Sequence, residues 1–240
     1  MAAIYKEYVP PSRLAEYVEC FWSLEATSDT KQLVVPDGCM DILLRLDDGV
    51  YAFDVIGSMT SPEEAFIRAG HTYIGARFSP GRLRQVLRVN CMEILNSAMP
   101  VQNSSDISIA AFSKNVRRPD SIEEKLEVFK RNLTVKIDPL PAQKAINAIV
   151  ASTGNISVAE LADIAQLSER QLRRQCIQLT GLSPKVLSRV MRFRSAFRML
   201  QSTSPISLAQ IALDCGYSDQ AHFSHEFSQF AGHPPSSHVV

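Results

Sequence analysis

The sequence predicts an α+β chain in two parts: a β-rich barrel or sandwich with flanking helices over residues 1–138, then an all-α unit over residues 139–240. Three observations predict it. Short β-prone runs separated by turn residues fill Phe21–Phe78, helical periodicity takes over from Pro80, and a seven-residue motif recurs fifty residues apart in the last hundred residues.

The strand-like runs are "FWSLEA", "QLVV", "CMDILLRL", "VYAFDVIG", "AFIRAG" and "HTYIGARF". Pro36-Asp37-Gly38 and Asp47-Asp48-Gly49 are turn sequences at hairpin spacing, so antiparallel pairing is expected. Next, "GRLRQVLRV" places Leu83, Val86 and Leu87 on one helical face, and "SIEEKLEVFKRNL" does the same for Ile122, Leu126, Phe129 and Leu133. Between them "PVQNSSDIS" reads as a loop. Pro139 and Pro141 in "KIDPLPAQ" disfavour helix at themselves and at the residue before each, which puts the domain linker there.

The repeat pairs "ISVAELA" at 156–162 with "ISLAQIA" at 206–212. Both carry the S-x-x-E/Q capping pattern, Ser157 with Glu160 and Ser207 with Gln210, in which hydroxyl and N3 side chain satisfy orphan N–H groups at a helix start. A second helix follows each, opened by Ser168 and Ser218 and closed by Gly181 and Gly232. Helix, tight turn, helix occurs twice, over about 156–181 and 206–232. A helix over 184–201, begun by Ser183-Pro184 and striped by Val186, Val190, Phe193, Phe197 and Leu200, joins the two units.

Composition narrows the function. The formal net charge is zero, but residues 1–140 carry −3, residues 141–198 carry +6 and residues 199–240 carry −3, so one basic segment is concealed in the total. Such a segment is the electrostatic footprint of a polyanion partner. The five cysteines are widely spaced with no C-x-x-C pair, against both a disulfide framework and a zinc ribbon, and a cytoplasmic location is expected. No secretory signal or apolar run long enough to span a bilayer is present, so no membrane partner is expected.

Aligning the two second helices on Leu172 with Phe223 and Cys176 with Phe227 sets Arg170, Arg173 and Arg174 opposite Ala221, Ser224 and His225. Residues at i, i+3 and i+4 share a helical face, so three guanidinium groups stand together. The second helix of a helix-turn-helix offers its N-terminal half to base edges in the major groove, and the planar arginine fork pairs bidentately with guanine. Three arginines also describe an ordinary solvated face. The duplicated capped unit, with only Glu169 as a nearby acid, favours DNA.

"ISVAELADIAQLSERQLRRQCIQLTGLSPKVLSRVMRFRSAFRML" and "ISLAQIALDCGYSDQAHFSHEFSQFAGHPP" together resemble the DNA-binding module of AraC/XylS-type transcriptional regulators. The resemblance implies double-stranded DNA as partner and DNA contacts by Arg170, Gln171, Arg173 and Arg174 in the first unit, with Gln220, Ala221 and His225 in the second. Lys185, Arg189, Arg192 and Arg194 are candidate phosphate contacts. The family usually has arginine where His225 stands and an aromatic at Cys176. Through "FW", "PDGCMDILLRL" and "GARFSPGRLRQVL", the N-terminal part resembles sensor domains of such regulators, which implies a cupin-like barrel with an effector-binding or homodimerising role. Phe21, Trp22, Cys39, Asp41 and Arg77 are the candidate effector-binding residues, because a few polar groups among aromatics make a small-molecule site. Hairpin chemistry and core packing explain the same residues. RNA polymerase is a further candidate partner.

Two rival classes remain. A catalytic metal at His222-x-x-His225-Glu226 is disfavoured, since neither zinc-hydrolase helix pattern is present and His225 and Glu226 diverge by about 100° on a helix. Cys39 as a thiol nucleophile lacks an identifiable base. No enzyme activity, cofactor or metal is expected. The other rival is a protein-interaction module, in which the arginine-free second unit binds polymerase or another regulator instead of DNA.

Overall fold

The computed structural model describes residues 3–47, 50–100, 121–135, 140–202 and 206–238. The N-terminal strands are β1 (Ala3–Tyr8), β2 (Val18–Ala26), β3 (Thr30–Val34), β4 (Met40–Asp47), β5 (Val50–Ile56), β6 (Glu63–Ile67), β7 (Thr72–Phe78) and β8 (Ala98–Pro100). Six of them form one antiparallel sheet in the order β1-β2-β7-β4-β5-β8, and β3 pairs with β6 as a separate ribbon. The barrel-or-sandwich expectation thus resolves into an open sheet with a ribbon, and no barrel closes among the described residues. β8 is three residues long, with Pro100 opposite Asp54 of β5.

The β4–β5 hairpin is present, with Asp47 opposite Val50. Pro36-Asp37-Gly38 is not a hairpin turn, because β3 pairs with β6 while β4 pairs with β5 and β7. It hands the chain from ribbon to sheet. Asp37 Oδ1 accepts from Cys39 N at 2.9 Å, and Gly38 takes φ +77°, a left-handed conformation that glycine adopts without a Cβ penalty.

Alternation along the strands separates two faces. Phe21, Met40, Ile42, Leu44, Ile74, Ala76 and Phe78 enter the main core, which helix α1 (Ile122–Asn132) covers with Leu126 and Phe129. Phe21 meets Phe129 edge-on at 5.5 Å. The stretch after Pro80 buries Leu83, Val86 and Leu87 as expected, but only Leu83–Gln85 is helical and of the 3₁₀ type. Its bonds run from Gln85 N to Arg82 O and from Val86 N to Leu83 O, the tighter i→i+3 pattern. The loop expected over 100–108 and the linker expected around Pro139 lie largely outside the described residues.

Among the described residues six α-helices follow: α2 (Ala142–Ala151), α3 (Val158–Ala165), α4 (Glu169–Thr180), α5 (Pro184–Leu200), α6 (Leu208–Asp214) and α7 (Gln220–Ala231). They enclose a second core of Ile146, Leu161, Leu172, Leu187, Phe193, Ile211, Phe223 and Phe227, among others. Phe193 of α5 sits 5.2 Å from Phe227 and 5.3 Å from Phe230 of α7. On α5, Val190 and Phe193 of the expected stripe are buried while Val186, Phe197 and Leu200 are half-buried; Pro184, Leu187, Ser188, Met191 and Ala196 complete the buried set, because partners lie on more than one side of this helix.

The two parts touch. Leu187 Cδ1 would lie 3.1 Å from a Cβ on Gly38, Cys91 Sγ donates to Leu179 O at 3.3 Å, and Gln143 Nε2 donates to Pro80 O at 3.1 Å. Arg194 of α5 reaches Glu19 of β2, with Nη1 2.9 Å from Oε1.

Candidate nucleic-acid interface

Each two-helix unit is assembled by local chemistry. In the first, Ser157 caps α3 with a complete capping box: its Oγ accepts from Glu160 N at 3.2 Å while Glu160 Oε2 accepts from Ser157 N at 3.0 Å. Gln166 then turns the chain at φ +54°, and Leu167 N closes back onto Ala162 O at 3.0 Å. The second unit repeats the turn fifty residues on. Gly216 stands at φ +75° and Tyr217 N bonds to Ala212 O at 2.9 Å. Its cap is only half a box: Gln210 N donates to Ser207 Oγ, but the Gln210 amide donates to Asp214 at 2.7 Å instead of returning to the cap.

Helix α4 opens with a second complete box, in which Gln171 Oε1 accepts from Ser168 N at 3.0 Å and from Ser168 Oγ at 2.8 Å. Leu172, Cys176 and Leu179 point into the core, and Gly181 at φ +73° ends the helix in the left-handed conformation. Arg170, Arg173 and Arg174 are therefore turned outward and exposed together, and among the described residues no carboxylate pairs with any of them. Gln171 is exposed on the same turn, but its carbonyl oxygen is committed to the cap. Lys185, in the first turn of α5, is exposed.

Helix α7 is capped by Asp219, not by Ser218 as the sequence indicated: Asp219 Oδ1 accepts from His222 N at 2.7 Å. That backbone N–H and the Ser218 hydroxyl hold the Asp219 carboxyl below its usual range. Ser218 Oγ lies 3.1 Å from His222 Nδ1, and His225 Nε2 lies 3.0 Å from Gln229 Nε2. Gln220, Ala221 and His225 are exposed. Phe223, Phe227 and Phe230 are buried. Glu226 is only 4% exposed: its Oε2 accepts from Arg189 Nε at 2.6 Å, and Oε1 lies 3.7 Å from Arg192 Nη2. His222, His225 and Glu226 consequently point to different partners. Among the described residues there is no group of three or more His, Cys, Asp or Glu side chains placed to hold a metal ion.

The other arginines of α5 are also engaged internally. Arg189 lies over the Phe230 ring at 5.2 Å, Arg192 donates to Gly154 O at 3.3 Å, and Arg194 binds Glu19. Of the four cations expected to meet phosphate from α5, only Lys185 has its charge turned outward without a carboxylate partner among the described residues. Glu226 is the one acid of α7, and the two arginines that meet it are brought there only by the fold.

The effector candidates divide between the two faces of the sheet. Phe21 is fully buried in the main core. Trp22, Asp41 and Arg77 share the other face: Trp22 Nε1 donates to Asp41 Oδ1 at 2.7 Å, and Arg77 Nε lies 3.8 Å from that oxygen and 3.5 Å from Asp37 Oδ2. The Trp22 indole lies flat on Gly75, where any Cβ would overlap it. Burial raises the Asp41 carboxyl to about 6, reinforced by the negative charges of Asp37 and Glu19 and opposed by Arg77 and the indole N–H. Cys39 is buried beside the Asp37 turn, 3.6 Å from Arg194 Nη1.

Comparison with known proteins fits this geometry. Residues 161–238 match the family model described as a helix-turn-helix domain. The HTH-type transcriptional activator RhaS of Pectobacterium carotovorum subsp. carotovorum (strain PC1) is 37% identical over 82 residues, which cover 34% of this chain and 29% of that protein. The C-terminal part is an AraC-type helix-turn-helix domain. A transcriptional regulator from Chromobacterium violaceum with an AraC-type DNA-binding domain is similar over 41% of this chain and 88% of its own, at 29% identity and a TM-score of 0.38. The apo form of a ToxT variant from Vibrio cholerae strain SCE256 aligns over 99% of this chain and 96% of its own, at 13% identity and a TM-score of 0.45. Ahead of the AraC-type domain, residues 6–100 match a model described as a domain of unknown function, DUF6597. The chain spans less than a third of the length of the RhaS protein it matches. Among the described residues no helix is long and apolar enough to cross a membrane.

Proposed function

We propose that this protein is a sequence-specific DNA-binding transcription regulator, working in the cytoplasm without catalysing a reaction, whose N-terminal part binds an effector or a second copy of the chain. One observation carries it: Arg170, Arg173 and Arg174 stand exposed, with no carboxylate partner among the described residues, on the outer face of the second helix of a capped helix-turn-helix unit. That is where such a helix meets base edges, and three arginines supply both the guanine-reading fork and the charge. Lys185 adds a phosphate contact, while Gln220, Ala221 and His225 give the second unit a weaker, less charged share. The domain boundary is assigned at 138/139, between the two cores. On the other face of the N-terminal sheet, Trp22, Asp41 and Arg77 are the remaining cluster for an effector.

The test is genome-wide selection of bound fragments with purified protein. A single enriched operator motif is expected, bound with a salt slope shallower than that of a domain basic in both units, since each neutralised phosphate contributes about −0.9 to d log K/d log[salt]. No measurable DNA affinity even at low salt would overturn the proposal. It would favour a second reading, contact with polymerase or another regulator, which rests on the absence of Lys and Arg after Arg198 and on Glu226 holding Arg189 and Arg192.

A further inference from the structure

Where α2 ends against the flank of α5, a groove of about 340 Å³ opens between Val150 and Thr153 on one side and Met191, Arg194, Ser195, Arg198, Met199 and Ser202 on the other. The α5 residues recur at three- and four-residue spacing, so one helical face builds the whole wall. Val150, Met191 and Met199 give an apolar floor, and Val150 is among the few large aliphatic side chains left exposed in the AraC-type domain. Arg194 and Arg198, one turn apart, also line it. Thr153 and Ser202 already donate their hydroxyl protons to the backbone oxygens of Ser152 and Met199, and Ser195 hydrogen-bonds with Cys215, which leaves Arg198 as the lining group without a carboxylate partner among the described residues.

The two arginines differ. Arg194 makes a two-pronged ion pair with Glu19 and also donates to Asp37 O at 3.4 Å. Arg198 is exposed, and among the described residues no carboxylate lies within ion-pair distance of it. Arg194, Arg198 and Glu19 together carry one uncompensated positive charge, next to an apolar floor of small-molecule dimensions. We infer that this groove binds a small anion with a compact apolar body, its carboxylate, sulfonate or phosphate-ester head held by Arg198 and shared with Arg194. The bound anion competes with Glu19 for the Arg194 guanidinium. Occupancy therefore loosens the one ion pair that ties α5 to β2, and ligand binding in the groove is linked to the contact between the two parts of the chain.

The inference is independent of DNA binding and is tested without DNA. Benzoate and phenyl phosphate serve as the charged probes and benzamide as the neutral match, titrated by NMR chemical-shift perturbation and by thermal shift of the full chain. Saturable binding is expected for an anionic probe and none for benzamide; which head group binds tighter identifies the anion. Arg198→Gln is expected to weaken binding about tenfold or more, as loss of a charge-assisted contact does. Glu19→Gln is expected to strengthen it several-fold, because it releases Arg194. A merely structural groove would give the second variant no gain. No saturable binding at millimolar probe, equal binding of benzamide, or affinities unchanged in both variants would overturn the inference. The melting temperature of each variant without probe separates a lost site from a lost fold.

Discussion

The Nε of Arg189 lies 2.6 Å from Oε2 of Glu226, and this pair joins the middle of α5 to the buried side of α7. It answers why a helix at a reading position carries an acid. Glu226 faces α5, not the outer surface of α7, and the cations it takes up are two that would otherwise be available to phosphate.

Removing that carboxylate should be costly. Glu226→Ala leaves Arg189 and Arg192 without their acid in a mostly buried setting, and breaking such a pair costs roughly 3–5 kcal/mol when both partners are buried. Arg189 keeps 31% of its side chain exposed, so a loss near the lower bound, about 3 kcal/mol, is expected. Glu226→Gln, which keeps the hydrogen-bonding shape, should lose about half as much. Urea unfolding midpoints of the three proteins measure this directly; equal midpoints would mean the pair contributes nothing net.

The arginine triplet of α4 should behave in the opposite way. Arg173→Ala and Arg174→Ala should leave the melting temperature within a degree or two, because both side chains are exposed and have no carboxylate partner among the described residues, while each weakens operator binding by roughly 1–3 kcal/mol if it pairs with a base. A base contact also relaxes the preference at one operator position, whereas a phosphate contact lowers affinity for all sequences and reduces the salt slope by about one. Binding isotherms on operator and scrambled DNA at several salt concentrations distinguish the two.

Gln171 makes a sharper case, since it was read from sequence as a DNA contact and the structure finds its carbonyl oxygen closing the capping box with Ser168. Gln171→Ala should cost about 1 kcal/mol of stability, the usual size of a capping effect. Gln171→Glu, which completes the same box, should retain that stability. Parallel thermal melts of both variants test it, and equal losses in the two would remove the cap as the cause.

Most of the helical part was legible because its signals are local. Ser157 with Glu160 and Gly181 with Gly232 declare helix ends within a few residues, and Leu172 and Phe223 fall at the same place in each copy. The ion pairs of Arg189, Arg192 and Arg194 were not legible, because their partners Glu226 and Glu19 are distant in sequence and only the fold brings them together. Strand β1 has no clear sequence signal for a related reason. "AIYKEY" lies at the sheet edge with only its two end residues, Ala3 and Tyr8, partly buried, so it has none of the alternation that marks β4. The split of Phe21 from Trp22 follows from the two-residue period of a strand, in which neighbours face opposite ways, so the two do not line one pocket.

The last prediction concerns Asp41, whose carboxyl is raised from 3.8 to about 6 by burial and by Asp37 and Glu19, despite Arg77 and the Trp22 N–H. Between those values the folded chain holds a proton that the unfolded chain has released. Stability therefore falls as pH rises through this window; the contribution is fully present below the unfolded value and gone above about 6. Asp41→Asn keeps the neutral form at every pH, so it should match the parent near pH 4 and exceed it above pH 6, by on the order of 2–3 kcal/mol at 1.36 kcal/mol per unit. Glu19 works with the opposite sign: burial opposes its charge, but the Arg194 guanidinium outweighs that and holds the carboxyl low, so its contribution is lost on acidification. That term is common to both proteins and cancels in their difference. Denaturant midpoints from pH 4 to pH 8 should show the gap between variant and parent opening with rising pH and levelling above about 6. A gap that is constant across the range, or that closes as pH rises, would show that Asp41 is ionised in the folded chain throughout.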